Sequence, residues 1–532
     1  MARWSLGLWL ALALYALLAA TSGRAVGFVG EVDIGWALRE PPMVISSWER
    51  DAEVSRLGPL EARATRPVEG LRVGTLYLPL AINSYTGGAA DWPGRAASFV
   101  GGRAAGVAMH LALGALLLVL AHRFLRFHGT ATSAGAVALV LATDWCFVFF
   151  KRVLGGTEIL LQAAGLLVLW SLWSRRWKGG RHGTIALALG VGLGLGAKIT
   201  FVATLVAFGV AALATRWDRP NVRPPEPVRW WVLALLPAVC LAPLLVAALH
   251  HALLVEPVPS HDTLTLQAER LALGATLGRE ALANLGRFLS NPLDWLADAW
   301  GTEPTGAFDP LRALGLAVAL FGTFIEWRSP TRSPSAALLR FLSIFVPSQL
   351  ALLFLANRDL HHLAQATVPL ACWAALGADR VAATLYPPRS ILRALATAIF
   401  ISPLLWAGAA QLRATDPVVN TARSALFRAS GQDALFDLCR EHDVQKLVTT
   451  SYELYGLIEQ GCPGVAVVHG WGAVARKERN IDALRRVASG GHYLKVRGSA
   501  PFVYDWRPDG LGEPVAALSD GRVVWAELYR IE

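Results

Sequence analysis

The chain is short of charge, of cysteine and of methionine. Only 17% of its 532 residues are Asp, Glu, Lys or Arg, against about 25% in soluble globular domains, which argues against a water-soluble enzyme and against a disordered chain. Five cysteines are too few for a disulfide scaffold. No CxxC or Cys/His spacing supports a structural zinc site, and no internal repeat or low-complexity tract is present. What is there is apolar: 54% of residues are hydrophobic and the mean hydropathy is +0.43.

A net charge of +10 would suit a nucleic-acid partner, but its distribution argues otherwise. From Gln411 to the end, Lys+Arg and Asp+Glu balance at 15 each. The surplus lies wholly in the apolar part, where cationic loops border membrane spans. The reading is a polytopic α-helical membrane protein whose partner is the lipid bilayer, with no nucleic acid.

Spans are runs of roughly 17–25 mostly apolar residues. They fall near 4–26, 101–122, 132–150, 157–174, 184–197, 199–215, 229–253, 311–326, 337–355, 364–383 and 391–409. The segment 184–215 as one helix would run about 46 Å against a hydrocarbon core of about 30 Å. Four glycines, Gly190 to Gly196, precede Lys198, so the segment reads as two spans turning there, eleven in all. With the N-terminus inside, the short inner loops carry fourteen Lys or Arg, among them Arg175, Arg176, Arg328 and Arg393, and the short outer loops four. That is the positive-inside bias. It places the N-terminus in the cytoplasm of a bacterial-type plasma membrane. The alternative for the first span is a cleaved signal peptide, since Arg3 and the small residues after the apolar stretch fit that too.

Two domains follow from this. Residues 1–410 form the membrane part, with large outer loops at 27–100 and 254–310. Residues 411–532 form an extracytoplasmic domain in which β-rich runs (KLVTT, GVAVVHG, YLKVR, FVYDW, RVVWA) alternate with helical ones (DALFDLCREH, ELYGLIEQ, IDALRRVA), a small α/β unit. Cys146, Cys240 and Cys372 fall within spans and read as core residues. Cys439 and Cys462 share the outer domain, where conditions permit a disulfide without requiring one.

Charges near membrane depth are costly and mark functional sites by default. Nine lie near the outer face in this topology: Lys151 and Arg152 after span three, Glu158 opening span four, Lys198 at the glycine-rich turn, Arg358, His361 and His362 in NRDLHHLAQ, and Glu31 and Asp33 in GFVGEVDIGW. Each has a plainer reading: the cations snorkel to headgroups, the histidines sit at the interface, the acids belong to a loop or a helix start. Together, cations facing two acids suit an anionic lipid headgroup with its phosphate held by Lys and Arg, and a carboxylate placed to take a proton from an attacking hydroxyl.

These motifs resemble the polytopic glycosyltransferases of the GT-C fold, the superfamily of protein O-mannosyltransferases and lipid A aminoarabinose transferases. The likeness rests on Glu31-Val-Asp33 just after the first span, then Trp92-Pro-Gly-Arg95 leading into span two. It continues through FFKRVLGGTE and GLGLGAKITF to RDLHHLAQATVPLACWAALGA, and covers about 1–410. The resemblance implies transfer of a sugar from a polyprenyl-phosphate donor to an acceptor on the outer face, usually with inversion. By that analogy Asp33 is the general base and Glu31 the alternative; Val32 separates acids that are often adjacent in the family, which leaves both open. Lys198, Arg358, Arg152 and Lys151 would hold the donor phosphate with His361 or His362. The histidines with Glu31, Asp33 or Glu158 would also suit a divalent ion.

Other readings are a polyprenyl-linked glycan ligase or polymerase, a lipid or sugar transporter, and a membrane anchor for the C-terminal domain. Transporters commonly show repeats and charges at the midplane; neither is seen. An anchor leaves the converging cations without a role.

Overall fold

A computed structural model describes residues 6–22, 70–73, 76–79, 92–153, 156–177, 181–197, 200–215, 285–294, 310–329, 333–356, 363–387, 390–419, 429–449, 461–462, 464–469, 481–496, 508–519 and 524–532, with a few single positions between them. The membrane part consists of α1 (Leu6–Thr21), α2 (Trp92–His128), α3 (Ala131–Thr143), α4 (Trp145–Val153), α5 (Gly156–Trp177), α6 (Arg181–Ala197), α7 (Phe201–Ala214), α8 (Pro310–Arg328), α9 (Pro334–Ala356), a 3-10 turn (Ala364–Ala366), α10 (Thr367–Leu385) and α11 (Ile391–Val419). A two-stranded antiparallel ribbon, β1 (Gly70–Val73) and β2 (Leu76–Pro79), lies in the first large loop. Ten of the eleven expected spans fall on these helices. Span 229–253 lies outside the described residues apart from single positions, so the count of eleven is not reached among them.

Four described helices are long and apolar enough to cross a bilayer: Ala105–His128, Pro310–Arg328, Pro334–Phe354 and Ile391–Asp416. Three of them, all but Pro334–Phe354, carry exposed large apolar side chains. On α8, Leu314, Leu320, Phe321, Phe324 and Trp327 are exposed, while small residues face inward, where Gly322 lies so near α10 that a Cβ would sit 2.1 Å from the Gly377 carbonyl oxygen. Large outside and small inside is the pattern of helices that pack by backbone approach within lipid. The chain is an integral membrane protein.

Three differences from the sequence reading concern helix ends, one being α11, which runs to Val419 rather than 409 and so crosses the expected domain boundary at 410/411. Helix α2 starts at Trp92 rather than near 101, and at 37 residues it runs about 55 Å. Span 132–150 is not one helix. It breaks at Asp144, whose Oδ1 accepts the Phe147 N–H at 2.9 Å and so caps α4. The break expected near Lys198 is present: α6 ends at Ala197 and α7 starts at Phe201. The preceding glycines serve packing, since a Cβ at Gly190 would meet the Ala164 carbonyl oxygen at 2.9 Å and one at Gly194 the Phe201 ring at 2.2 Å.

One end of the bundle is clamped by ion pairs. Glu326 on α8, fully buried, pairs with Arg340 of α9 and lies 2.8 Å from Arg380 Nε of α10. Asp379 of α10 accepts two bonds from Arg393 of α11, both 2.9 Å, and one from Thr130 Oγ1 at 2.7 Å. Thr130 also caps α3. This is the end that the sequence assigns to the arginine-rich inner loops.

The C-terminal domain carries α12 (Ala429–Glu441), β3 (Lys446–Thr449), β4 (Ala466–His469), α13 (Asp482–Ala488), β5 (His492–Val496), β6 (Ala516–Ser519) and β7 (Val524–Arg530). The sheet order is β4-β3-β5-β7-β6, with β4, β3 and β5 parallel and the last two strands antiparallel. Strand alternation sends Leu447, Leu494, Val496 and Leu528 to the face sharing its core with α12. Val448, Tyr493 and Tyr529 go to the other, with Leu484 and Ala488 of α13. Helices thus cover both faces, as the alternation of β and α runs implied. Strand β6 was not expected from the sequence, and the run FVYDW lies outside the described residues.

Candidate functional site

At the end of the bundle opposite the ion-pair clamp, two buried hydrogen-bond networks meet at consecutive residues. Lys151 on α4 is fully buried, donates to Gln162 Oε1 of α5, and lies 3.8 Å from the centroid of the Phe147 ring. Gln162 Nε2 donates in turn to the Ala364 carbonyl oxygen at 2.6 Å. The next residue, Gln365, accepts from Thr204 Oγ1 of α7 at 3.0 Å, and Thr204 accepts from Gln349 Nε2 of α9 at 3.0 Å. The 3-10 turn at 364–366 thus ties together α4, α5, α7 and α9.

The local sequence explains this placement. Lys151 ends an apolar helix, so its stem is buried and its ammonium seeks partners inside: a neutral amide and an aromatic face. Its stem lies against Gly114 of α2, where a Cβ would meet Lys151 Cγ at 3.0 Å and the Tyr15 hydroxyl of α1 at 2.2 Å. Tyr15 itself donates to the Leu111 carbonyl at 3.1 Å. Buried amides such as Gln162, Gln349 and Gln365 are uncommon in apolar helices and stay there because they are bonded to one another's neighbours.

A second charged feature was missed from the sequence. Asp144 pairs with Arg312 of α8 at 3.2 Å, both side chains nearly buried, and Arg312 Nε donates to the Leu289 carbonyl at 3.0 Å. A small cleft lined by Asp144, Arg312, Leu316, Thr367, Leu370 and Leu404 lies beside the pair. The signal was a single acid in the apolar run ATDWCF. Because Asp144 both caps α4 and neutralises Arg312, it fixes the kink between α3 and α4.

Of the residues expected to form the site, Lys151 alone has a described side chain. Arg95, Arg152 and Glu158 are placed on α2, α4 and α5 by their backbones. Glu31, Asp33, Lys198, Arg358, His361 and His362 lie outside the described residues. Along the chain, Glu158 is one turn from Gln162, Lys198 falls between α6 and α7, and Arg358, His361 and His362 precede the 3-10 turn. Among the described residues no group of three metal-ligating side chains comes together; those expected to hold a divalent ion lie outside the described side chains.

No protein-family model and no curated protein matches the chain. Its fold is shared with solved structures. ArnT from Cupriavidus metallidurans, in a crystal structure bound to undecaprenyl phosphate, aligns with a TM-score of 0.56 at 12% identity, over 98% of this chain and 97% of that one. The apo form of the same protein aligns with a TM-score of 0.52 at 13% identity, again over 98% and 97%. The chain therefore has the GT-C architecture, with its membrane helices followed by a small α/β domain.

Proposed function

We propose that the protein is a membrane glycosyltransferase that moves a sugar from a polyprenyl-phosphate carrier to an acceptor hydroxyl at the outer membrane face. The observation carrying this reading is the node at Ala364 and Gln365, which gathers the helix ends bordering Lys151, Glu158, Lys198 and the Arg358/His361/His362 segment. Undecaprenyl phosphate bound to a protein of the same fold supports the class of donor.

In this reading Asp33, with Glu31 as the alternative, takes the proton of the acceptor hydroxyl, which is a poor nucleophile while protonated. The acceptor oxygen attacks the anomeric carbon opposite the phosphate, the carbon–phosphate oxygen bond breaks, and configuration inverts. Negative charge grows on the departing polyprenyl phosphate. Lys198, Arg358 and Arg152 hold it, His361 and His362 donate hydrogen bonds, and Lys151 adds positive potential from beneath. Arg95 and Glu158 belong to the same end. The N-terminus is cytoplasmic and the C-terminal domain extracytoplasmic.

The test is a transfer assay on purified protein with native lipid extract as donor. Wild type is expected to release free polyprenyl phosphate and Asp33→Asn to release none. Release by neither, from folded protein across a range of donors, overturns the reading in favour of transport or ligase chemistry. Full activity in an Asp33→Asn, Glu31→Gln double variant overturns the base assignment alone.

A further inference from the structure

In the C-terminal domain, Cys439 and Cys462 are 2% and 4% exposed and belong to one core cluster. Cys439 lies on α12, one turn after Phe436, and helical side chains lean back over the preceding turn. Cys462 closes a separate helical turn, its N–H donating to the Ile458 carbonyl at 2.8 Å. Its thiol donates to the Phe436 carbonyl oxygen at 3.7 Å, three residues before Cys439 on α12. Both are free thiols, close enough for each to shift the other's titration. What lets the segments approach is Gly461: a Cβ there would fall 2.1 Å from the Phe436 ring. Of the other described cysteines, Cys146 and Cys372 lie in α4 and α10 of the membrane part.

We infer that Cys439 and Cys462 are joined by a disulfide in the mature protein, pinning α12 to the turn at Cys462. The inference rests on the outward placement of the domain under the proposed function, since only an oxidising compartment retains such a bond. The oxidant is a disulfide-bearing thiol oxidase or oxidised low-molecular-weight thiol. A Cys462 thiolate attacks one sulfur of the oxidant and expels a thiolate; Cys439 then loses its proton, attacks Cys462 Sγ, and expels the second. Two electrons and two protons leave the protein as the oxidant becomes two thiols. The mutual effect of the two thiols fits this order: Cys439 holds the Cys462 pKa down, while Cys462 and then burial push that of Cys439 up.

The test uses full-length protein purified without reductant, unfolded in N-ethylmaleimide, digested and mapped by mass spectrometry. In parallel, Glu513→Cys, at an exposed position of the same domain, is probed in intact cells with a membrane-impermeant maleimide. The expected result is one linked peptide holding Cys439 and Cys462, alkylation at Cys146, Cys240 and Cys372, and labelling of Glu513→Cys from outside. Alkylation of both Cys439 and Cys462 with Glu513→Cys labelled overturns the disulfide and leaves the outward placement standing. Alkylation of both with Glu513→Cys unreached overturns the disulfide together with that placement.

Discussion

Lys151 and Gln162 stand on opposite sides of the short break between α4 and α5, and the buried lysine donates a hydrogen bond to the glutamine amide oxygen inside the bundle. Gln162 is a neutral partner, and a carboxylate in its place would offset part of the lysine's positive field. Gln162→Glu is therefore expected to fold normally and to raise the donor KM about tenfold, a loss of about 1.4 kcal/mol. Gln162→Ala removes one acceptor from a buried ammonium and should cost about 1–3 kcal/mol of stability. Thermal unfolding in detergent and donor titration separate the two.

Asp144 and Arg312 should show strong coupling. Asp144→Ala strands a buried guanidinium and should lower stability by about 3–5 kcal/mol, whereas Asp144→Ala with Arg312→Met should cost clearly less than the two single changes together. A double-mutant cycle measured by unfolding checks this; strict additivity would show that the pair does not act as a unit.

Gly322→Ala places a methyl 2.1 Å from the Gly377 carbonyl oxygen, so α8 must move away from α10. The expected loss is about 1–3 kcal/mol. Gly165→Ala on α5 has open space around the new methyl and should be neutral or gain a few tenths to about 1 kcal/mol from helix propensity. Melting temperatures of the two variants make the comparison.

His492 gives the C-terminal domain a pH dependence. Burial first, then Arg530 opposite it on β7, then His442, lower its pKa below the ordinary 6.5. Below pH 6.5 the unfolded chain takes up a proton that the folded domain resists. Stability is therefore full above that pH and falls as the pH drops through the lower folded value. His492→Asn should flatten the melting-temperature profile of this domain in that range and leave it unchanged at pH 8.

Much of this was legible in the sequence because bilayers permit few solutions: apolar runs gave the helices, and Lys198 after four glycines gave the break between α6 and α7. The β-rich runs KLVTT and YLKVR marked strands β3 and β5. The site was legible only as a list of costly charges. Nothing in the sequence says that Gln162 bonds to Ala364, or that Thr204 reaches Gln365, because such pairings depend on helix rotation and depth. Asp144 was overlooked since an acid in an apolar run is read as one costly residue until its partner is seen, and Arg312 lies far along the chain.

Helix α10 is enclosed by α3, α8, α9 and α11 and buried continuously from Thr367 to Asp379. Its amides should accordingly be the last to exchange with deuterated solvent, opening only when the whole bundle opens. The 3-10 turn sits on its first residue, so the node inherits that slowness. Groups mounted on such a mast are already in position before a lipid arrives, and little reorganisation is left for the moment of bond breaking.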